Sequence, residues 1–223
     1  MLHPILQRKK LVLLDFDGTL VDSMGMWESL DRRLLQMHGI EIPDGLSERL
    51  IPLNEDETAA VFLELGCPGT VKSIREFHDR MAQEEYEKSI PLKRGAKELL
   101  DELRSANVKL GIVSASTLAR MLPCLSRLGL TGYFHIILPC GEYAVNKSTS
   151  EPYQMALKNL GISAEDAVFI DDFYGNINGA RAAGITTVGV YDSIGAPTWG
   201  QMQQCADLCI ESLDQLILRE DNQ

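Results

Sequence analysis

Short apolar runs alternate with amphipathic stretches over most of the chain, and this alternation is its main structural signal. Short apolar runs bounded by polar residues are typical of buried strands, whereas apolar residues spaced by three and four indicate helices. The first such run covers residues 11–14 and leads directly into an acidic turn. Further strands are predicted at 108–113, 135–138, 167–170 and 186–190, with a short edge strand at 208–210.

Helical spacing fills the intervals between these strands. Helices are predicted from about residue 95 and at 118–128, 152–160, 177–183 and 213–218. Pro123 is expected to kink the second of these helices or to delay its start, because proline has no N–H to donate. Strands that alternate with helices form parallel sheets with right-handed crossovers. The fold class is therefore predicted to be α/β, with a Rossmann-like parallel sheet as its core.

Residues 21–90 follow a different pattern, in which no stretch alternates like a strand. Apolar residues at helical spacing occur between Trp27 and Met37 and again between Val71 and Tyr86. Asn54 and Glu57 form a plausible capping pair in front of a helix between these two. We therefore predict a core domain of residues 1–20 and 91–223 and an inserted all-helical cap domain of residues 21–90. The two connections lie close together, so the insert could move as a lid.

The charge and composition limit the classes of partner. The 223 residues carry a formal net charge of −11, which disfavours binding to nucleic acid or to anionic membranes. No apolar run approaches the roughly 20 residues of a membrane span, and the apolar run before Asp15 is too short for a signal peptide. The five cysteines are odd in number and form no CxxC pair, which favours reduced thiols and a cytoplasmic location.

Asp15 and Asp17 stand at the carboxyl end of the first predicted strand, which is the edge where open α/β sheets bind ligands. By the strand period of two, their side chains share one side. Two carboxylates about 4 Å apart repel by roughly 1 kcal/mol in water and about 4 kcal/mol at a protein surface. A divalent cation is the simplest compensation. The alternative is a solvated Asp-Gly turn, in which Gly18 only reverses the chain.

Polar residues also follow the other central strands, and the topology brings all of these strand ends to one edge. Each is weak evidence alone, because a serine often caps a helix and a loop lysine is usually solvated. Together, carboxylates, a hydroxyl and an ammonium suit phosphoryl transfer, in which an aspartate attacks phosphorus while Mg²⁺, Lys and Ser stabilise the phosphoryl charge. The candidate residues are Asp15, Asp17, Ser114, Lys147, Asp171 and Asp172.

Four motifs along the chain resemble those of the haloacid dehalogenase superfamily, in particular of its phosphoglycolate phosphatase and β-phosphoglucomutase-like branch. Ser148 replaces the proline that usually follows the motif lysine, and Asn176 stands where relatives often carry Gly or Asp. The resemblance extends from residue 11 to residue 190. The motifs are the acidic turn at 15–23, Ser114, Lys147 with Glu151 and Tyr153, and Asp171-Asp172 ahead of the Gly/Ala-rich run at 179–184.

The resemblance implies a role for each candidate. Asp15 would be the nucleophile and a Mg²⁺ ligand, and Asp17 would be the general acid and base that also binds Mg²⁺ through its backbone carbonyl. Ser114 and Lys147 would hold the phosphoryl group. Asp172, with Asp171 beside it, would complete the metal site.

The resemblance also implies further contacts with the substrate and an oligomeric state, and the position of two residues just past the first connection suggests another contact. The backbone amides of Asp17 and Ala115 would add donors for the substrate, with Gly18 shaping the turn beside it. Met24 and Trp27 could face the pocket from the insert, although packing inside the insert is the simpler explanation for them. A small phosphorylated metabolite would be the substrate, and the protein would be a monomer.

Two alternatives remain open at this stage. A sugar-phosphate mutase would need a second phosphate grip in the insert, for which Arg32, Arg49, Lys72 and Arg75 are candidates. The segment 52–56, where the cap loop of the mutases would align, has no basic residue. A signalling receiver domain also surrounds Mg²⁺ with Asp, Ser/Thr and Lys, but it lacks both an acid two residues after the phosphorylated aspartate and a long helical insertion.

Overall fold

A computed structural model describes residues 1–50 and 53–218 of the chain. The chain forms two compact units, one made of Met1–Asp22 and Pro91–Gln223 and the other of Ser23–Ile90. Pro52, the first residue of the 52–56 segment, lies outside the described residues, as do residues 219–223 at the end of the predicted core domain.

The regular elements follow one another along the chain much as the hydrophobic pattern predicts. The strands are β1 (Leu11–Leu14), β2 (Lys109–Ser114), β3 (Ile136–Pro139), β4 (Ala167–Asp171), β5 (Thr186–Val190) and β6 (Leu208–Ile210). The helices are α1 (Met24–Met37), α2 (Leu46–Leu50), α3 (Glu55–Glu64), α4 (Val71–Lys88), α5 (Ala96–Ser105), α6 (Leu118–Arg127), α7 (Glu151–Leu160), α8 (Tyr174–Ala182) and α9 (Trp199–Cys205).

The six strands form one parallel sheet in the order β3-β2-β1-β4-β5-β6. All four residues of β1 are fully buried, as expected for a central strand covered on both faces. Leu14, the last residue of β1, pairs with Ile112 of β2 and with Ile170 of β4. The three strands therefore end within two residues of one another in register, since β2 continues to Ser114 and β4 to Asp171. The α/β prediction with a parallel sheet is confirmed.

The unit of residues 23–90 is helical, and its described residues contain no strand. Its core is apolar and includes Leu35 and Phe62, both with no exposed surface. The capping pair predicted before α3 is present, because the Asn54 side chain accepts from the Asp56 and Glu57 amides at 3.0 Å. The Glu57 carboxylate accepts in turn from the Asn54 amide at 2.8 Å. The short helix α2 has no counterpart in the sequence prediction.

Other differences from the sequence prediction have local causes. The last predicted helix, 213–218, is only a 3₁₀ turn, Leu213–Leu216. The turn ends because Ile217 adopts an extended conformation and pairs with Leu2. Helix α6 begins at Leu118 without delay and continues through Pro123, since its buried face packs into the core on either side of the proline.

Among residues 1–50 and 53–218, no helix is both long and apolar enough to cross a membrane. The five cysteines are free thiols. Burial raises the pKa of Cys124 and of Cys140 to about 11, so both stay protonated at neutral pH.

Helix α8 approaches the loop after β3 so closely that only glycine fits at position 179. A Cβ atom there would lie 2.3 Å from the carbonyl oxygen of Lys147, which is backbone and cannot swing aside. Gly179→Ala should therefore lower the free energy of unfolding by about 1–3 kcal/mol, the usual cost of overpacking. Differential scanning calorimetry measures this as a lower melting temperature.

Gly200→Ala, in helix α9, is the matched control, because a Cβ there would have no heavy atom within 4 Å apart from its chain neighbours and its own helix backbone. It should leave stability unchanged or raise it by up to about 1 kcal/mol, since alanine is the better helix former. Equal melting temperatures for the two variants would show that the close approach does not restrict position 179.

Candidate active site

The carboxyl ends of three neighbouring strands carry the predicted polar residues. Asp15 directly follows β1, Ser114 ends β2 and Asp171 ends β4. The Asp15 amide donates to the Ile170 carbonyl at 2.9 Å, so it extends the pairing of β1 with β4 by one residue. The strand register thus positions the first aspartate beside the acidic pair 171–172.

Asp15, Asp171 and Asp172 each place a carboxylate oxygen within 4.8 Å of the other two. Asp15 is 6% exposed and Asp171 is not exposed at all. Three carboxylates held this close, two of them buried and Asp172 partly exposed, repel one another and need positive charge. Oxygen donors of this type are the ligands that Mg²⁺ and Ca²⁺ prefer. The acidic cluster therefore fits a hard divalent cation.

Lys147 supplies one of the positive charges from inside the protein. Its Nζ lies 2.6 Å from Oδ1 of Asp15 and 2.9 Å from Oδ2 of Asp171. Burial opposes the charged ammonium, but the two carboxylates outweigh this and raise the pKa of Lys147 well above its usual value. The Tyr153 hydroxyl holds the loop in place by donating to the Lys147 carbonyl at 2.8 Å.

The two acids of the pair after β4 differ in their surroundings. Asp171 already accepts from the Phe173 amide at 2.7 Å and from Nδ2 of Asn176 at 3.1 and 3.2 Å, in addition to its contact with Lys147. Asp172 accepts from the Thr19 hydroxyl at 2.9 Å. Asp171 is therefore fixed by the protein, whereas Asp172 keeps more of its lone pairs for a cation.

The sequence pattern alone could not assign the hydrogen bonds that Thr19 and Asn176 donate to the acidic pair. Thr19 was part of the recognised motif, but nothing in its position indicated that it bonds to a residue 153 positions away. Asn176, noted as a departure from the family pattern, donates its amide to Asp171 instead of adding a third acid. Gly18 also contacts this side of the cluster, since a Cβ on it would lie 2.4 Å from Oδ2 of Asp172.

Asp17 belongs to the tight turn after β1, and its carboxylate accepts a short hydrogen bond from the Ser116 hydroxyl. The Ser116 amide in turn donates to Oγ of Ser114 at 3.0 Å. Ser116 is not among the site residues that the sequence pattern predicts. The available signal was the repeated serine two residues beyond the end of the strand. Ala115, between the two serines, is exposed.

Gly18, Met24 and Trp27 are the remaining residues predicted to contact the substrate. The Gly18 amide donates to the Val21 carbonyl at 2.9 Å and so closes the turn. Met24 and Trp27 belong to the first turn of α1 in the helical unit, where the Trp27 ring lies 6.4 Å from the ring of Tyr86. Contact of these two residues with a substrate stays a prediction.

Burial governs the ionisation of the acidic cluster. Desolvation raises the pKa of Asp15 to about 7, with further upward shifts from Asp171 and Asp17 and a partial offset from Lys147. Desolvation and the charges of Asp171 and Asp15 also raise the pKa of Asp172 well above its usual value. A bound cation would reverse both effects, because it favours the charged carboxylates.

Residues 12–190 match the sequence profile of a family described as haloacid dehalogenase-like hydrolases. The chain belongs to this family. The predicted family and the prediction that the protein is a hydrolase enzyme are both confirmed by the match.

Named relatives agree with this assignment. A phosphoglycolate phosphatase from Salmonella typhimurium is 26% identical over an alignment of 210 positions, and the match covers 83% of this chain and 82% of that protein. A phosphorylated carbohydrates phosphatase from Thermotoga maritima is 25% identical over 187 residues, covering 82% and 86%. A solved Thermotoga maritima structure, described as a candidate β-phosphoglucomutase, is 21% identical with a TM-score of 0.76 over 93% of this chain and 96% of that one. This last likeness shows the fold alone.

The raised pKa of Asp15 predicts that cation binding depends on pH. Below about pH 7 the carboxyl is protonated in the cation-free protein, so a cation has to displace a proton. The folded pKa also exceeds the usual unfolded value, so the cation-free protein loses stability as pH rises from about 4 through 7. Saturating Mg²⁺ should therefore raise the melting temperature more at pH 7.5 than at pH 5.5.

Thermal denaturation with MgCl₂, and with NaCl of equal ionic strength as the control, measures this difference. The affinity for Mg²⁺ should fall by up to about tenfold per pH unit below pH 7 if one proton is displaced. An equal Mg²⁺ effect at both pH values would contradict the predicted ionisation of the cluster.

Proposed function

We propose that this hydrolase is a Mg²⁺-dependent phosphatase that cleaves small phosphate monoesters through an aspartyl-phosphate on Asp15. The observation that carries the proposal is the position of the Asp15 carboxylate, in contact with the Lys147 ammonium and within 4.8 Å of two further acids. The names of the relatives, a phosphoglycolate phosphatase and a phosphorylated carbohydrates phosphatase, support the same class of substrate.

The donor set fits the proposed cation. Asp15 and Asp172 would hold Mg²⁺ through carboxylate oxygens, and Asp17 through its backbone carbonyl. Asp171, whose oxygens are used by Lys147, Asn176 and the Phe173 amide, would instead orient Lys147. When bound, Mg²⁺ would neutralise phosphate oxygens and the acidic cluster.

The first chemical step forms a bond between an Asp15 oxygen and phosphorus and breaks the bond from phosphorus to the ester oxygen. Asp17 donates its proton to that leaving oxygen. In the second step Asp17 takes a proton from water, the water oxygen attacks phosphorus, and the Asp15 carboxylate is released with inorganic phosphate. Lys147 and the Ser114 hydroxyl stabilise the charge of the phosphoryl group throughout.

The helical unit gives no support to the mutase alternative. Each of the four basic candidates for a second phosphate grip contacts a carboxylate within its own unit. A mutase must bind a second phosphate of its intermediate, and each of these cations would first have to leave its carboxylate, at a cost of about 0–1 kcal/mol for exposed pairs. The pairs are Arg32–Glu28 at 2.8 Å, Arg49–Glu64 at 2.6 Å, Lys72–Glu76 at 3.7 Å, and Arg75 with Glu55 and Asp56 at 2.9 and 2.8 Å.

We further propose that the helical unit acts as the cap that selects the substrate, with Met24 and Trp27 facing the pocket. The substrate is then a small phosphorylated metabolite with an apolar part. The monomeric state and the cytoplasmic location complete the proposal as predictions from the sequence.

Asp15→Asn and Asp17→Asn should fail in different ways on para-nitrophenyl phosphate. Asp15→Asn removes the attacking carboxylate, so no phosphoenzyme forms and turnover is lost. Asp17→Asn keeps the nucleophile, and the good leaving group needs little protonation, so the first step survives in part. The second step lacks its base and should slow by about 10²–10⁴-fold. Rapid-quench kinetics should show a burst of one product equivalent, and mass spectrometry a phosphate on Asp15.

Asp166→Asn is the matched control, because Asp166 pairs with Lys10 at the surface and lies at the opposite end of β4. It should turn over like the wild type, and EDTA should abolish turnover in both until Mg²⁺ is restored. Unchanged turnover by Asp17→Asn, or phosphate on Ser114, would contradict the assigned roles.

Trp27→Ala should change the order of preference among natural phosphate esters while changing kcat/KM for para-nitrophenyl phosphate only slightly. The physical reason is that an apolar contact from the cap would bind the alcohol part of the ester, whereas the phosphoryl group would react with residues of the core. A panel of phosphate esters of graded size measures this. Phe77→Ala serves as the control, since Phe77 packs with His78 in the same unit. The same ranking for Trp27→Ala and the wild type would exclude this role for Trp27.

A further inference from the structure

Lys93 forms an ion pair with a buried carboxylate that the proposed reaction does not use. Its Nζ lies 2.6 Å from Oδ2 of Asp192 and 3.7 Å from Oδ1 of Asp22. The Asp192 side chain is only 4% exposed, whereas that of Asp22 is 57% exposed. A buried carboxylate without a partner is costly, so the geometry makes Asp192 the partner that matters.

The backbone of Lys93 is joined to the turn that follows β1. The Lys93 amide donates to the Leu20 carbonyl at 3.0 Å, and the Asp22 amide donates to the Pro91 carbonyl at 2.9 Å. Between these bonds, Val21 pairs with Leu92 in antiparallel fashion. We call residues 17–22 the catalytic turn, since it carries Asp17. Lys93 is therefore fixed to the catalytic turn by its main chain.

Asp192 belongs to the loop that follows β5. Its Oδ1 accepts from the Ile194 amide at 2.9 Å, which leaves Oδ2 for Lys93. The loop passes against the main chain of Asp172, because a Cβ on Gly195 would lie 3.4 Å from the Asp172 carbonyl oxygen. The loop after β5 thus lies close to the main chain of Asp172.

The catalytic turn contacts the Asp172 side chain through the hydrogen bond from the Thr19 hydroxyl and the close approach of Gly18. The ion pair between Lys93 and Asp192 connects this turn to the loop after β5. The contacts form a closed ring that runs from Asp172 through the catalytic turn to Lys93 and back through the loop after β5.

We propose that Lys93 is a positioning residue which, through Asp192, holds Asp172 in the orientation that binds the divalent cation. The inference rests on the proposed Mg²⁺-dependent function. Lys93 contacts Asp192 and Asp22, whereas Lys147 contacts the proposed nucleophile Asp15, so the parts of the two lysines differ. Residues that orient metal ligands typically change metal affinity by about 10–100-fold when they are removed.

The double variant Lys93→Met/Asp192→Asn tests the proposal most cleanly. It removes one positive and one negative charge, so the net charge of the protein stays the same and no buried carboxylate is left unpaired. The Asp192→Asn change keeps a side-chain oxygen that can accept from the Ile194 amide. Isothermal titration calorimetry should show Mg²⁺ binding about tenfold weaker than in the wild type, with the KM for para-nitrophenyl phosphate within about twofold at saturating Mg²⁺.

Single variants distinguish a positioning role of Lys93 from an effect of its charge alone on the affinity for Mg²⁺. Lys93→Met adds net negative charge beside the acidic cluster, so a purely electrostatic role predicts tighter Mg²⁺ binding, whereas loss of positioning predicts weaker binding. Lys93→Arg keeps the ion pair and should restore most of the affinity. The matched control is Lys97→Met/Asp101→Asn, which removes another Lys–Asp pair at 2.6 Å that is about half exposed on helix α5. Its Mg²⁺ affinity should equal that of the wild type.

Unchanged Mg²⁺ affinity in the Lys93/Asp192 double variant would overturn the proposal, even if its melting temperature fell. Tighter binding by Lys93→Met would overturn it as well. If the wild type neither bound Mg²⁺ nor hydrolysed the ester, the proposed function would fail and this inference with it. Weaker binding in the double variant beside a normal wild type would support both.

Discussion

The contact of the Lys147 ammonium with Asp15 and Asp171 is the interaction on which the rest of the site depends. Two buried carboxylates and the partly exposed Asp172 lie within 4.8 Å of one another, and burying such charges without a partner is costly. Lys147 neutralises part of this charge from within the protein, and a divalent cation is the natural complement for the remainder. The loop that carries Lys147 is held in place by the buried Tyr153 and by the close approach of helix α8.

The sheet topology supplies the second constraint. Because β1 lies between β2 and β4, one strand register brings an aspartate, a serine and an acidic pair to the same edge. The close approach of Gly18 and the hydrogen bond from Thr19 then join the turn after β1 to Asp172. The division of labour between the two adjacent acids follows from these contacts. Asp171 is saturated by donors from the protein, and Asp172 is left more open.

Much of the fold follows from local patterns. The buried run of β1, the alternation of strands and helices and the capping pair at Asn54 and Glu57 all depend on residues close in sequence. The pattern was misleading where distant contacts decide the local structure. The predicted helix at 213–218 is cut short because Ile217 pairs with Leu2, near the opposite end of the chain. Helix α6 tolerates Pro123 because its packed face compensates for one missing hydrogen bond.

The sequence by itself determined the fold class, the family and the chemical types gathered at the sheet edge, because these depend on periodicity and on short motifs. Only the tertiary structure decided which partners those groups take. The bond from Thr19 to Asp172 spans 153 residues, and that from Ser116 to Asp17 spans 99. Asn176 donating to Asp171, and Lys93 pairing with buried Asp192, likewise depend on how separate loops meet. Charge and burial act through space, so one-dimensional spacing cannot specify them.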